Sequence, residues 1–433
     1  ETITEYTRDA AGRVLSTTRR VGPMATTESS EYDALGRVTK QTDVLGRITT
    51  TAYSEDGLTT TVTSPAGATS ITTRNTDGST ASVGGTAQRA QVYVFDLNGS
   101  NERVTTKLAD GTTIAQSISN GFGQTIVQAQ ASTTGFIYTR SEFNAKGQMT
   151  KQYQDTGWNT AKTAPTLYEY DAFSNQVKQT LALAGSPTKD NSPVVEMAHS
   201  VESAEDGVFS VTTQTRYNAE GTALNSTQKQ LISQLSTTLA NKSISIDMRG
   251  NSSVNWSEYT APTKVSSFST VPTSNITAES ISIDGFTISQ KDHAGIITTA
   301  SRSYTATGMT KVNVDGRNNA TTVHSDLAGR TISVIDAANA VTTTAYDAAH
   351  DLPAVVTDAM GNTSCYKYDH RGRKVAEWGT ALQPACFGYD DMDNMTTLRT
   401  FRADGEVINT DPSERSDYDQ TTWVFNPATG LEI

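Results

Sequence analysis

The chain has 433 residues, with 46 acidic side chains against 34 Lys and Arg and a formal net charge of −12. That balance argues against nucleic acid as a partner and against a general affinity for anionic membranes. Hydrophobic residues make up 35%, few for the core of a compact sandwich of this length and suited to an extended, single-layer or curved sheet with polar faces.

Glu1-Thr2-Ile3-Thr4-Glu5-Tyr6 opens in strand-like sequence, not in a signal peptide, and no apolar run approaches the ~20 residues of a membrane span. Residues 1–180 then read as a β-repeat sheet. Asp9 to Gly12, Asp33 to Gly36, Asp43 to Gly46, Ser54 to Gly57, Ser64 to Gly67 and Asn75 to Gly78 are turns, and from Gly36 the closing glycines follow at 10, 11, 10 and 11 residues. Asp in the first turn position accepts a backbone hydrogen bond from two residues on, and Gly in the fourth accepts a positive φ. The Thr-, Val- and Ile-rich stretches between, such as Ile48–Tyr53, are strands. Thr fills both faces there, so register must come from the turns. The Arg after several turn glycines (Arg13, Arg37, Arg47) reads as a structural ladder reaching acidic neighbours on the next turn. The signature loosens over 81–180 but persists at Asn120 to Gly123, Asn144 to Gly147 and Asp171 to Asn175.

Residues 181–320 form a degenerate, decorated stretch of the same array. Thr227–Leu239 carries Leu231, Leu235 and Leu239 at four-residue spacing, the chain's best helix candidate, with a strand pair as the alternative. Val254 to Tyr259 reads as a strand with its aromatics, Trp256 and Tyr259, on one face.

Over 321–433 the pattern is clean again. Asp326 to Gly329, Asp336 to Asn339, Asp347 to His350, Asp358 to Gly361 and Asp369 to Gly372 are turns, Asn339 and His350 standing in the glycine slot. Every second turn opens on an Asp at 326, 347, 369 and 390, spacings of 21, 22 and 21, and a Tyr precedes the last three of them. A period of this size marks an array or solenoid. At roughly 11 residues per strand and turn the chain holds about 40 strands.

Tyr32-Asp33-Ala34-Leu35-Gly36-Arg37-Val38, Tyr346-Asp347, Tyr368-Asp369-His370-Arg371-Gly372-Arg373, Tyr389-Asp390 and Tyr418-Asp419 resemble the repeat of the Rhs, or YD-repeat, proteins. The resemblance implies an all-β fold, an antiparallel meander of hairpins coiled into a curved or hollow shell, as in insecticidal toxin complexes, bacterial polymorphic toxins and teneurins. It further implies a secreted or bacterial cell-surface setting, with the rest of a longer Rhs chain or an encapsulated polypeptide as partner. Both ends read as cut from a longer array. Self-cleaving members carry an Asp-containing core segment after the repeats; Asn426-Pro427-Ala428-Thr429-Gly430-Leu431 resembles it only loosely and has Asn in place of the Asp, which leaves the shell without the protease.

Cys365 and Cys386 each precede a repeat Tyr by three residues, so an intervening strand should hold them roughly 9–10 Å apart, beyond the ~7 Å that a disulfide spans. Both are expected as free thiols. His199, His293, His324, His350 and His370 show no zinc-site spacing, and the glycines punctuate strands instead of opening a phosphate loop. No metal and no cofactor is expected. Each turn Asp (Asp33, Asp43, Asp326, Asp347, Asp358, Asp369) has a structural task with its glycine partner (Gly36, Gly46, Gly329, Gly361, Gly372).

Three functions compete. A structural, encapsulating scaffold needs only the repeats. A surface module for glycan or host protein would use Trp158, Trp256, Tyr259 and Trp378 as stacking platforms, although aromatic side chains equally cover sheet faces. A polysaccharide-acting, lyase-like enzyme would need a His, a Tyr and an Arg converging in a concave site.

Overall fold

The computed structural model describes residues 2–155, 165–181, 194–217, 221–235, 238–270, 277–401 and 410–433. Among these the chain forms 35 β-strands and one short 3-10 turn, Pro412–Glu414, and no helix is long and apolar enough to cross a membrane. Each strand pairs antiparallel with the next in sequence, from Thr2–Arg8 on Val14–Val21 to Met395–Phe401 on Tyr418–Thr422. The result is one unclosed meander. The described residues hold 35 strands where about 40 were expected of the whole chain, and the middle ones are long: Val194–Ala204 and Gly207–Tyr217 have 11 residues and Ala223–Gln234 has 12.

The turns are built as their residues dictate. Asp33 N–H donates to Arg37 O at 2.9 Å, Gly36 N–H donates to Asp33 O at 3.0 Å, and Gly36 sits at φ +84°. The same construction recurs at Asp43, Asp326, Asp358 and Asp369. With no Cβ, glycine enters this left-handed conformation freely, and the pairing register shifts by one beside the turn, between Glu31 and Tyr32.

Three local expectations change. Thr227–Leu239 is no helix: residues up to Gln234 belong to the strand Ala223–Gln234 and Leu239 opens the next, the strand alternative. Leucines four apart satisfy a two-residue period as well as a helical one, and the flanking strands supply hydrogen-bond partners. Tyr418-Asp419 is not a turn but the start of the strand Tyr418–Thr422. His350 does not occupy the left-handed slot, since among non-glycine residues only Ser174, Asp284, Asn318, Asn339 and Asp393 have positive φ among the described residues. That turn instead carries one extra residue, Asp351, and closes from Asp347 N–H to Leu352 O.

The turns alternate between the two long rims of the ribbon. One rim bears the Tyr-Asp turns at 33, 347, 369 and 390; the other, here the plain rim, bears those at 43, 336 and 358. The ribbon coils far enough for these rims to meet. The turn between the second and third strands lies against the twenty-fifth, where a Cβ on Gly22 would stand 4.0 Å from that of Tyr304. Further along, Arg47 on the plain rim donates to both carboxylate oxygens of Asp351 on the Tyr rim, at 2.8 and 3.1 Å. Next, Thr86 O accepts from Arg371 Nε at 2.7 Å and lies 3.0 Å from His370 Nε2, and Arg89 donates to Pro427 O. The plain rim of the first coil is thus seated on the Tyr rim of the second. Buried apolar side chains are strung along the strip (Ala68, Ile118, Phe209, Ala376, Phe401), as a single layer requires.

Candidate functional site

The repeating chemistry of the ribbon lies on the Tyr rim. Each repeat Tyr ends its strand and donates its hydroxyl to the carbonyl that opens the preceding strand: Tyr32 to Val14, Tyr53 to Val38, Tyr346 to Thr331, Tyr368 to Pro353 and Tyr389 to Lys374, all at 2.8–3.0 Å. The Arg closing the previous Tyr-rim turn lies over that ring. Arg13 stands 5.0 Å from the Tyr32 centroid, Arg37 4.1 Å from Tyr53, Arg330 4.4 Å from Tyr346 and Arg373 4.9 Å from Tyr389. The sequence carried a signal for this lattice, a Tyr 16 or 19 residues after each such Arg, which the acidic-ladder reading passed over. The ladder also exists: Arg373 reaches Asp393 at 2.9 Å and Asp390 O at 2.7 Å.

The turn carboxylates are engaged within their turns. Asp33 Oδ1 accepts from the Leu35 and Arg37 amides at 2.9 Å, and Oδ2 from Arg37 Nε at 2.7 Å. The Arg37 amide foremost, and then its guanidinium, hold the Asp33 carboxyl below its usual range against partial desolvation. At Asp43 and Asp369 burial is the largest influence and pushes upward, yet the bonds from Arg47 and Arg373 outweigh it. At Asp358 the Asn362 side chain does the work of the Arg. Such acids hold backbone, with three of about four acceptor positions taken up within the turn.

The candidate platforms are not brought together. Trp158 lies outside the described residues. Trp256 stacks on Phe268 across the strand pair, centroids 4.9 Å apart at 18°, with Nε1 donating to Glu258 at 3.1 Å. Register alternation puts Trp256 with Glu258 and Phe268 on one face and Tyr259 with Ser257 and Ser267 on the other. They do not share a face as expected, because three residues is an odd step along a strand. Tyr259 is exposed, and Trp378 sits far along the ribbon opposite Cys365. Around Trp256 the sheet forms a hollow of about 540 Å³. Across it, Asn241, Ser257, Ser267, Ser280, Gln290 and Thr298 stand directly opposite one another on successive strands.

The nearest approach to a His–Tyr–Arg convergence among the described residues is His350. Its ring lies 6.0 Å from Tyr368, its Nδ1 2.8 Å from Asp347, and Asp351 beside it meets Arg330 and Arg47. Burial, however, pushes the Tyr368 hydroxyl above its ordinary pKa, and its proton is committed to Pro353 O. Tyr368 is therefore a packing residue and a poor base. His199 faces Gln176 O, His293 faces Ser269 O and His324 faces Thr310, each a local structural contact. Cys365 and Cys386 are free, on strands separated by Lys374–Trp378, and burial raises both thiols.

Comparison with known proteins gives a match to the RHS Repeat family model over residues 32–69. No curated protein matches the chain. Among solved structures, TcdB2-TccC3-Cdc42 aligns over 100% of this chain and 26% of its own at 12% identity and TM-score 0.48. The Photorhabdus luminescens Tc holotoxin pore with mutation TccC3-D651A aligns over 99% of this chain and 23% of its own at 12% identity and TM-score 0.45. This chain therefore spans about a quarter of the length of either. The turn, the Tyr bond and the Arg-on-ring contact of the matched segment recur outside it at Asp326, Asp369 and Tyr389. The chain carries the Rhs/YD repeat, set in an antiparallel array of β-hairpins.

Proposed function

We propose that this β-shell segment is the wall of a secreted, toxin-type container, enclosing a polypeptide that belongs to a longer chain. Residues 1–180, 181–320 and 321–433 would be one continuous wall with a decorated middle. The observation that carries the reading is the overlap of the two coils, sealed from Gly22 and Tyr304 to Arg89 and Pro427. A strip that returns onto its own rim has an inside. Small-angle scattering should give the pair-distance distribution of a hollow body, and a passenger fused after Ile433 should resist protease while the fold is intact. An unrolled strip, or a passenger cut as fast as free peptide, would defeat the reading.

A second reading is favoured by the hollow at Trp256. Its row of hydroxyl and amide side chains suits a neutral, polyhydroxylated ligand, a glycan, held by hydrogen bonds. Of the expected platforms Trp256 alone lines the hollow among the described residues, and Tyr259 and Trp378 would serve, if at all, as separate contacts. A glycan array on the purified chain should light up for neutral oligosaccharides and lose the signal in Asn255→Leu/Ser267→Leu; a blank array ends this reading.

A further inference from the structure

The hollow beside Trp256 does not end at its own border. A second hollow of about 430 Å³ adjoins it and shares Gln290 and Thr298 with it. The two make one trough that crosses the strands from Leu239–Ile246 to Ala320–Ser325. The row from Asn241 to Thr298 runs along it. A second row, Ser243, Asn255, Ser269 and Ala278, stands beside the first on the same face. Past Thr298 the floor continues through Ala300, Asn313 and Thr321, again opposite one another.

The chemistry of that floor narrows what can lie on it. Trp256, Phe268, Glu279 and Lys291 stand opposite one another at the alternate positions, so these rings and charges belong to the other face. Asp292 Oδ1, at the edge, accepts from the Ala294 and Ile296 amides at 2.9 and 2.8 Å. In the second hollow Lys311 lies 5.8 Å from the Phe286 ring centroid, and Asp315 accepts from the Arg317 and Asn319 amides. The first hollow is thus floored by hydroxyls and amides, each able to donate and to accept, with Ala278 and the half-exposed Ile296 as apolar ground. Every strand under the trough is paired on both sides, so an extended peptide finds no free edge to join. Successive strands lie ~4.8 Å apart, close to the length that one ring adds to an extended, equatorially linked glycan.

We propose that the trough binds a linear, neutral polysaccharide laid across the strands, one sugar ring to each strand. On the glycan reading of the hollow, from which this follows, the ligand is an internal stretch of chain and not a terminal sugar. The six side chains from Asn241 to Thr298 span roughly 24 Å, room for about six rings. The strand repeat sets the period of recognition, and each added ring meets one more hydroxyl or amide.

Isothermal titration of the full chain with β-1,4-linked gluco-oligosaccharides of two to six rings tests this. Affinity should rise about threefold or more with each ring up to six. Asn241→Leu and Thr298→Val, at the two ends of the row, keep the side chain's size and remove its polar group. Together they should weaken binding of the six-ring chain about tenfold and leave the two-ring chain and the β-sheet circular dichroism unchanged. Ser267→Leu, in the middle of the row, should weaken both chains. If the array lights up but two rings bind as tightly as six, or the six-ring chain ignores both end substitutions, the trough is overturned and the hollow keeps its glycan. Binding of no oligosaccharide in the series overturns the trough as well, and a blank array then removes the glycan reading with it.

Discussion

Arg47 grips both carboxylate oxygens of Asp351 across 304 residues of sequence, and the same Asp351 is approached by Arg330 at 3.4 Å from its own coil. The pair joins the two coils at their rims. Asp351 holds the Arg47 guanidinium above its ordinary pKa, its hydrogen bond being the largest cause. The contact exists because the turn after Tyr346 has one residue more than its neighbours.

The pair is largely solvent-exposed on the Asp side, so its removal should lower global stability by only ~0–1 kcal/mol. Its effect should appear at the seam. Asp351→Ala is expected to raise hydrogen exchange around residues 43–47 and 85–90 while the strand amides stay protected. High salt should have the same effect on the wild type. The double variant Arg47→Asp/Asp351→Arg should restore part of the protection. Unchanged exchange at both segments would show that the seam does not depend on this pair.

Tyr368→Phe keeps the ring against His350 and removes the bond to Pro353 O. A loss of about 1 kcal/mol is expected, since the half-buried carbonyl loses its partner. Urea titration checks this, with an unchanged slope showing that the native state is otherwise intact.

Gly46 stands at φ +80° with open space where a Cβ would go. The cost of Gly46→Ala is therefore conformational, roughly 1–2 kcal/mol. Gly46→Asn should cost less, because Asn tolerates the left-handed region, and Gly46→Val more. Thermal melts of the three variants should fall in that order.

The acid limb of stability follows from the turns. Asp33, Asp43, Asp358 and Asp369 are all held below their usual range in the folded chain. A depressed folded value stabilises the fold at pH above the unfolded value of ~3.9, and that contribution disappears as pH falls through the lower folded values. The melting temperature should thus vary little between about pH 5 and 8 and fall steeply below about pH 4. Replacing turn Asp with Asn, as at Asp358, should flatten that limb.

Cys365 and Cys386 are partly covered and their thiols are raised by burial. Alkylation at neutral pH should be slow and give two modified sites per chain after unfolding, with no change on prior reduction.

Much of this was legible from local sequence. An Asp and a Gly three positions apart specify a turn through their own backbone and side-chain bonds, so strand positions around Asp33, Asp326 and Asp369 follow without tertiary information. The extra residue at Asp351 was visible as well, as the spacing of 22 between Asp347 and Asp369 among spacings of 21. The odd step from Trp256 to Tyr259 already implied opposite faces. The Leu231–Leu239 spacing was compatible with either period, and only the neighbouring strands decide it. The seam was not legible. Where Arg47 meets Asp351 depends on twist accumulated over some two dozen strands, a sum of small increments that no single motif encodes.

The strictly sequential pairing of the strands has a consequence for how the chain acquires its shape. Each hairpin is stabilised by its two neighbours alone, so the sheet can zip from any point through short loops, with little entropy spent on closure. Rim-to-rim docking is the exception, since it must wait until the strip has grown past a full revolution. Assembly is therefore expected in two kinetic phases, a fast one that lays down the strip and a slower one that latches it, and removing a whole hairpin before the first latch should leave the fast phase unaltered while moving the latch one rung along.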